Sequence, residues 1–294
     1  MKLKYINKIA ANLYLNINRK SSCLLDGSYN SIFVGRSMNF DNLREYVVGD
    51  NIKDIDWKAS TRVNSLLVKQ FIAERKHNIY LVLDTNISMN ALSKDESKKK
   101  DLALYAAGTF SYLVNKNGDF VGAFFNEENK IKFYNLKSGL ENIESILTNY
   151  DKTMEKKNVK TLNDTLQFLV NNSKAKAMVV IFTDVSGIDK LDESLLKKLL
   201  IKNDVLIFNI EDMPLKEDLL YDIEDNYLIP DYILKNKSIY VSEKNVKEEV
   251  SSRIKMKLKK YGVNNINIDS MDTLAINVIK LVKEHNYANK SWFK

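Results

Sequence analysis

Asp84, Asn86 and Ser88 stand at alternate positions directly after the apolar run Ile79–Leu83, and oxygen-bearing side chains at this spacing can converge on one hard cation. Asp184 closes a second apolar run, Met178–Thr183, and Thr161 lies in the loop Val159-Lys160-Thr161-Leu162-Asn163-Asp164 ahead of a helical pattern. Two carboxylates, two hydroxyls and an amide form an oxygen donor set suited to Mg²⁺, with Mn²⁺ or Ca²⁺ as alternatives. The same residues have a second use, because Asp84, Asn86 and Ser88 are good helix N-caps and Thr161-Leu162-Asn163-Asp164 reads as a helix start. Other chemistries lack material. The chain has 2 histidines, His77 and His285, and 1 cysteine, Cys23, so a Ser-His-Asp triad, a disulfide or a CxxC site has nothing to build on. No P-loop or GxGxxG sequence occurs.

These groups need elements to hold them. Strands are expected at Ile79–Leu83, Phe120–Phe125, Ile131–Tyr134, Met178–Thr183, Val205–Ile210 and Ile266–Ile268. Helices are expected between them at Lys99–Asn115, Leu140–Asn149, Asn163–Asn171, Leu191–Ile201, Val246–Lys260 and Met271–His285. The alternation predicts an α/β fold, a doubly wound and mostly parallel sheet with helices on both faces. In such sheets the working crevice lies beyond the carboxyl ends of the strands, where Asp84 and Asp184 fall. Leu3, Ile6, Ala10, Leu13 and Ile17 form the stripe of an amphipathic N-terminal helix, expected to pack on the protein's own domain, with a membrane surface or partner helix as the competing contact. Residues 212–237, with Pro214, Pro230 and the acidic Glu217, Asp218, Asp222, Glu224 and Asp225, form an excursion. The expected division is 1–75 for the helix and a polar segment, and 76–294 for the α/β domain.

With 294 residues, 45% hydrophobic and 28% charged, the chain can bury a substantial core. Its net charge of +7 comes from 45 basic and 38 acidic residues, a mixed surface that does not call for specific nucleic-acid binding. The local excess in Lys244–Lys260 follows Glu248-Glu249 and suits a solvated helix ordered acid to base. The apolar runs are too short to span a bilayer, and the opening residues lack the apolar stretch of a secretory signal, so a cytoplasmic location is expected.

The stretch from Gly35 and Phe40 through Leu43-Arg44-Glu45-Tyr46, Gly49-Asp50 and Ile55-Asp56-Trp57 to Arg62 is dense in polar and aromatic residues. It resembles the signature of the bacterial domain of unknown function 58 family, whose members are similar to von Willebrand factor A domains and are often associated with MoxR-type AAA+ ATPases. The residue types of this segment read as a charge-paired cap, with an interaction surface as the alternative, made by Arg44, Glu45, Tyr46, Asp50, Asp56, Trp57 and Arg62, with Trp57 expected to be buried and Arg44 to pair with Asp50 or Asp56. Lys53 stands where the family commonly has Arg. The resemblance implies a metal-ion-dependent adhesion site in which Asp84, Ser88, Thr161 and Asp184 hold Mg²⁺ and leave one position for a partner's carboxylate. Asn86 departs from that pattern, which has Ser there. The implied role is a non-enzymatic, metal-dependent protein-binding module, an adaptor for an AAA+ ATPase or its client in protein or complex maturation. The alternative is a Mg²⁺-dependent PIN-like ribonuclease, since Leu83-Asp84-Thr85-Asn86 also resembles the opening of that fold; such an enzyme needs several carboxylates converging on the metal. A haloacid-dehalogenase-like phosphatase fits less well, because Asn86 takes the place of its second Asp.

Overall fold

Five apolar residues in succession, Ile79 to Leu83, are all buried in the strand β3 (Asn78–Leu83), the pattern of a strand covered on both faces. The computed structural model of the chain describes residues 3–20, 39–72, 76–116, 118–156, 158–173, 175–213, 220–222, 227–229 and 237–289. Around β3 lie β4 (Phe120–Glu127), β5 (Lys130–Lys137), β6 (Met178–Asp184), β7 (Asp204–Ile210) and β10 (Asn264–Ile268). They form one sheet in the order β10-β7-β6-β3-β4-β5, parallel except for the β4–β5 hairpin. β5 lies at one edge, and accordingly none of its residues is buried.

Helices cover both faces. Tyr80, Val82, Val179, Ile181 and Ile207 meet Leu162, Leu166 and Leu169 of α5 (Leu162–Asn172), Leu195, Leu196 and Leu199 of α7 (Glu193–Lys202), and Ile254 and Leu258 of α8 (Lys237–Tyr261). On the other face α3 (Lys99–Lys116) is buried along most of its length and packs against α4 (Leu140–Met154) and α9 (Met271–Asn289). The doubly wound, mostly parallel α/β architecture is thus present, and every expected strand and helix has its counterpart. Within the excursion, β8 (Leu220–Asp222) and β9 (Tyr227–Ile229) pair antiparallel. Pro214, Glu217, Asp218, Glu224, Asp225 and Pro230 lie outside the described residues, as does Cys23; the His285 side chain does too.

The expected division needs one correction. Residues 1–26 and 77–294 form one unit and residues 27–76 another, so the first helix does not belong with the signature segment. α1 (Lys4–Lys20) buries Tyr5, Ile6, Ile9 and Leu13 against α3 and α4. A Cβ on Gly108 of α3 would lie 2.3 Å from the terminal methyl of Ile9, so the two helices approach closely at this glycine. Glu144 of α4, itself buried, accepts hydrogen bonds from Tyr5 N and Ile6 N, placing a negative charge on the positive end of α1. Ile6 and Leu13 of the apolar stripe that could have met a membrane are therefore covered. Among the described residues no helix is long and apolar enough to cross a bilayer.

The second unit is organised by its carboxylates. β1 (Asn39–Glu45) pairs antiparallel with β2 (Leu67–Ile72), and α2 (Trp57–Val63) lies in the connection. Asp50 takes both terminal nitrogens of Arg44 at 2.6 Å and also accepts Val47 N at 2.9 Å, closing the loop around Gly49, whose φ of +112° suits glycine. Asp56 caps α2 through Ala59 N and stands 3.6 Å from Lys69. Tyr46 is half-buried, while Glu45 and Arg62 are exposed. Trp57 corrects the expectation of burial: it is 60% exposed. It occupies the first position of a seven-residue helix whose only buried side chain is Ser60, so α2 has no inward face at that point.

Candidate functional site

The chain runs from β3 outward through β4 to β5, then returns to place β6 on the opposite side of β3. This reversal opens a crevice beyond the carboxyl ends of β3 and β6, where open α/β sheets bind ligands. Asp84 follows β3 directly and keeps its place in the ladder, its N–H donating to Phe182 O at 3.0 Å. Asp184 is the last residue of β6 and the N-cap of α6 (Val185–Asp189), accepting Gly187 N at 2.9 Å. Both carboxylates are 1% exposed. Asp84 therefore belongs to the core, although its sequence position suggests a surface loop.

Asp84 Oδ2 accepts the Thr183 hydroxyl at 2.5 Å, and Oδ1 accepts Asn86 N at 3.0 Å. Burial, with the like charge of Asp184 adding to it, pushes the Asp84 carboxyl up to about 6. A Cβ on Gly187 would stand 2.7 Å from Asp84 Oδ2 and 1.9 Å from Thr183 Oγ1, so a bare glycine is needed where the two strand ends meet. Tyr150, from α4, donates to Asp84 O at 2.9 Å and fixes the strand end from below.

The capping interpretation divides the remaining candidates. Thr161 is a true cap: its hydroxyl and N–H both donate to Asp164 Oδ2, and Asp164 N returns a bond to Thr161 Oγ1, a capping box at the start of α5. Asn86 caps nothing with its side chain, which instead directs Nδ2 to Asp84 Oδ2 at 3.4 Å. The Ser88 hydroxyl is buried without a hydrogen-bond partner, as is that of Thr85. Asn86, Ser88 and Thr161 line one cavity of about 270 Å³, together with Ile87, Asn158, Asn163, Ser186, Gly187 and Lys190. Asp84 and Asp184 lie at the strand ends beneath it, linked to it by Asn86 and Gly187.

An orphaned hydroxyl costs about 1–3 kcal/mol of lost hydration unless something occupies its lone pairs. That orphan, the glycine left bare beside Asp84, and an all-oxygen donor set fit a small hard cation such as Mg²⁺. Among the described residues no group of three or more His, Cys, Asp or Glu side chains is arranged to hold a metal, so any ion here would depend on hydroxyl and amide donors beside its carboxylates.

The feature that sequence reasoning missed is Lys99. Its side chain is 1% exposed, and its ammonium lies 2.6 Å from Asp184 Oδ2 while also bonding Asp212, which follows β7. Burial alone would pull this ammonium down; the charges of Asp184 and Asp212 more than offset it and hold the pKa above the ordinary lysine value. Lys98-Lys99-Lys100 looks like a solvated charge run, but Lys99 precedes Leu102, Ala103 and Ala106 by three, four and seven residues, the positions of one buried helix face. That spacing was the available signal. Three basic residues of α8 are likewise committed within the fold: Arg253 makes two 2.7 Å bonds to Asp189, Lys257 donates to Ile188 O and Asp189 O, and Lys260 meets Glu193 at 2.9 Å.

A doubly wound, mostly parallel α/β sheet with a polar cavity at its switch point, and a separate hairpin-and-helix unit, define the class of protein. The family model described as "Protein of unknown function DUF58" matches residues 42–226, and the chain belongs to that family. Uncharacterized proteins of Mycobacterium tuberculosis and Mycobacterium bovis are 29% identical over 111 residues, covering 38% of this chain and 35% of theirs. The match thus spans about a third of the length of those relatives. Similar solved structures include an aerotolerance-related membrane protein from Bacteroides fragilis (10% identity, 71% of this chain and 99% of that one, TM-score 0.45). Others are BatB from Bacteroides thetaiotaomicron (12%, 70% and 99%, 0.44) and a von Willebrand factor type A protein from Catenulispora acidiphila (10%, 73% and 43%, 0.41). At these scores the likenesses carry nothing about the site, which rests on its own geometry.

Proposed function

We propose that this protein is a metal-dependent protein-binding module, an adaptor that works with a MoxR-type AAA+ ATPase in the maturation of proteins or complexes. The observation that carries the reading is the Ser88 hydroxyl, buried and unpartnered in a loop whose neighbours are the buried carboxylates of Asp84 and Asp184. Ser88 and Thr161 would offer hydroxyl oxygens and Asn86 its amide oxygen, with Asp84 and Asp184 as the charged groups; Mn²⁺ or Ca²⁺ would serve in place of Mg²⁺. Bound there, the ion supplies a Lewis-acidic position able to take a carboxylate from a partner. Lys99 holds Asp184 in place from behind, and the Thr183 hydroxyl and Asn86 N–H orient Asp84. The partnership with an ATPase is drawn from the family resemblance.

The test is Mn²⁺ binding measured by electron paramagnetic resonance, with Ser88→Ala and Asp84→Asn each weakening it, paired with capture of native partners in Mg²⁺ or in EDTA. Partner recovery indifferent to EDTA would reject the metal-bridged mechanism. Metal-dependent RNA cleavage lost in Asp84→Asn would replace the adaptor with the nuclease.

A further inference from the structure

We infer that the N-terminal helix α1 is a lever on the metal site, docked on α4 so that helix and ion hold each other in place. This inference rests on the metal reading above and concerns how that site is regulated. Glu144 of α4 is buried, and among the described residues every hydrogen bond to its carboxylate comes from α1. Tyr5 N reaches its two oxygens at 3.0 and 3.1 Å, and Ile6 N reaches one of them at 2.9 Å. Seven residues along the same helix, Asp151 takes the Tyr5 hydroxyl at 2.5 Å. A buried carboxylate is costly to leave without its donors, so these bonds fix where α1 sits on α4 more narrowly than apolar contact alone would.

The far end of α4 holds the backbone of the site. The buried Tyr150 hydroxyl donates to Asp84 O at 2.9 Å. Asn158, just beyond the helix, donates to Thr153 O of α4 at 3.2 Å and to Thr85 O at 3.4 Å, so the next carbonyl is tied to the same helix end. Asp84 and Thr85 directly precede Asn86 and lead to Ser88, and the placing of their carbonyls sets where the Asn86 amide and the Ser88 hydroxyl fall. Glu144, Tyr150 and Asp151 span roughly 10 Å of one helix, a rigid element that carries a shift of α1 to both carbonyls instead of absorbing it as a loop would. Such coupling is reciprocal: if the docked arrangement binds the ion more tightly, the ion must hold α1 down by the same factor. The second unit follows α1 in the chain and precedes β3, so one of its two connections to the α/β unit leads to the lever.

Amide hydrogen exchange on the full wild-type chain, read at Tyr5 and Ile6 in EDTA and in saturating Mg²⁺, tests the lever, with Mn²⁺ affinity measured on the same preparations. Exchange at these two amides is expected to slow at least about fivefold in Mg²⁺, the low end of ordinary coupling between sites, while the amides of α7 on the opposite face of the sheet keep their rates. The double variant Tyr5→Phe with Glu144→Gln should weaken Mn²⁺ by a comparable factor under conditions where circular dichroism shows it folded, although neither residue lines the cavity. Tyr150→Phe keeps the ring and drops the bond to Asp84 O, and the Mg²⁺ response at Tyr5 and Ile6 should shrink with it. Rates at Tyr5 and Ile6 unmoved by Mg²⁺, or slowed no more than those of α7, in a chain that loads Mn²⁺ overturn the lever and leave the metal reading standing. Unchanged Mn²⁺ affinity in the folded double variant does the same, as does a full Mg²⁺ response in Tyr150→Phe. A wild-type chain that binds no Mn²⁺ overturns the metal reading, and this inference with it.

Discussion

Replacing Lys99 by Met removes the one positive charge that faces Asp184 from behind while keeping most of the side chain's volume. Lys99 and Asp184 are both 1% exposed, and Asp212 on the other side of the ammonium is 36% exposed. With the ammonium gone, Asp184 Oδ2 loses its 2.6 Å partner and keeps only the Gly187 N–H on Oδ1. Leaving a buried charge uncompensated costs about 3–5 kcal/mol, and the buried end of this triplet sets the value in the upper part of that range rather than at the ~1 kcal/mol of a surface pair. For a unit of this size the melting temperature should fall by roughly 2–4 °C per kcal/mol. Because the Lys99 pKa is raised, its contribution is fully present below the ordinary lysine range and is lost only as pH rises through the higher folded value, so the penalty of Lys99→Met should be constant across neutral pH. Urea melts in EDTA measure it. Lys99→Met combined with Asp184→Asn should recover part of the loss, giving a coupling of about 1–3 kcal/mol. On the metal reading, Mg²⁺ should narrow the gap between Lys99→Met and wild type, because the ion supplies positive charge to the same carboxylate. A Lys99→Met midpoint within experimental error of wild type, or strict additivity in the double variant, would refute the argument.

Asp84 has its pKa raised from 3.8 to about 6, so in EDTA its contribution to stability is full below about pH 4 and is lost as pH rises through 6, a change on the order of 3 kcal/mol. Asp84→Asn should remove that slope from urea melts taken across pH 4–7. Gly187→Ala would push a methyl against Thr183 Oγ1 and Asp84 Oδ2, and a loss of about 1–3 kcal/mol together with loss of Mn²⁺ binding is expected; an alanine variant with unchanged melt and unchanged Mn²⁺ affinity would remove the close-approach argument. Trp57→Ala, at a position 60% exposed, should shift the denaturation midpoint by no more than the roughly 0.5 kcal/mol of an ordinary surface change, against the 3–5 kcal/mol of a buried aromatic.

The parts of the fold that were legible are those where one side chain type dominates locally. Met178–Phe182 and Ile79–Leu83 can only be strands buried on both faces, and once they are central and parallel, the residues that end them must share an edge. Asp84 and Asp184 follow from that alone, and Asn86 and Ser88 from their spacing. What was not legible depends on partners far away in sequence. Lys99 looks solvated until Asp184 and Asp212, 85 and 113 residues on, supply its charges. The first helix looks free to join the signature segment until Glu144, 139 residues from Tyr5, caps it. Trp57 misled in the opposite direction: its type suggests burial, but a short helix with one buried residue offers no core to enter. Thr161 is the helix cap that its sequence suggests, and its hydroxyl, which donates to Asp164 and accepts Asp164 N, keeps one lone pair for a further bond.

The cavity wall itself is held from two ends. α6 begins at Asp184, whose carboxylate accepts Gly187 N, and ends where Lys257 donates to Ile188 O and Asp189 O. Negative charge at its start and positive charge at its finish both favour the helix dipole, and without them five residues would be too short to hold a helical turn. Arg253 adds a second anchor on Asp189. Ser186, Gly187 and Lys190 therefore take their positions in the cavity from groups on β6 and α8. Arg253 and Lys257 of α8 thus serve the site through α6, and Asp184 joins the wall of the cavity to the buried ammonium of Lys99 beneath it.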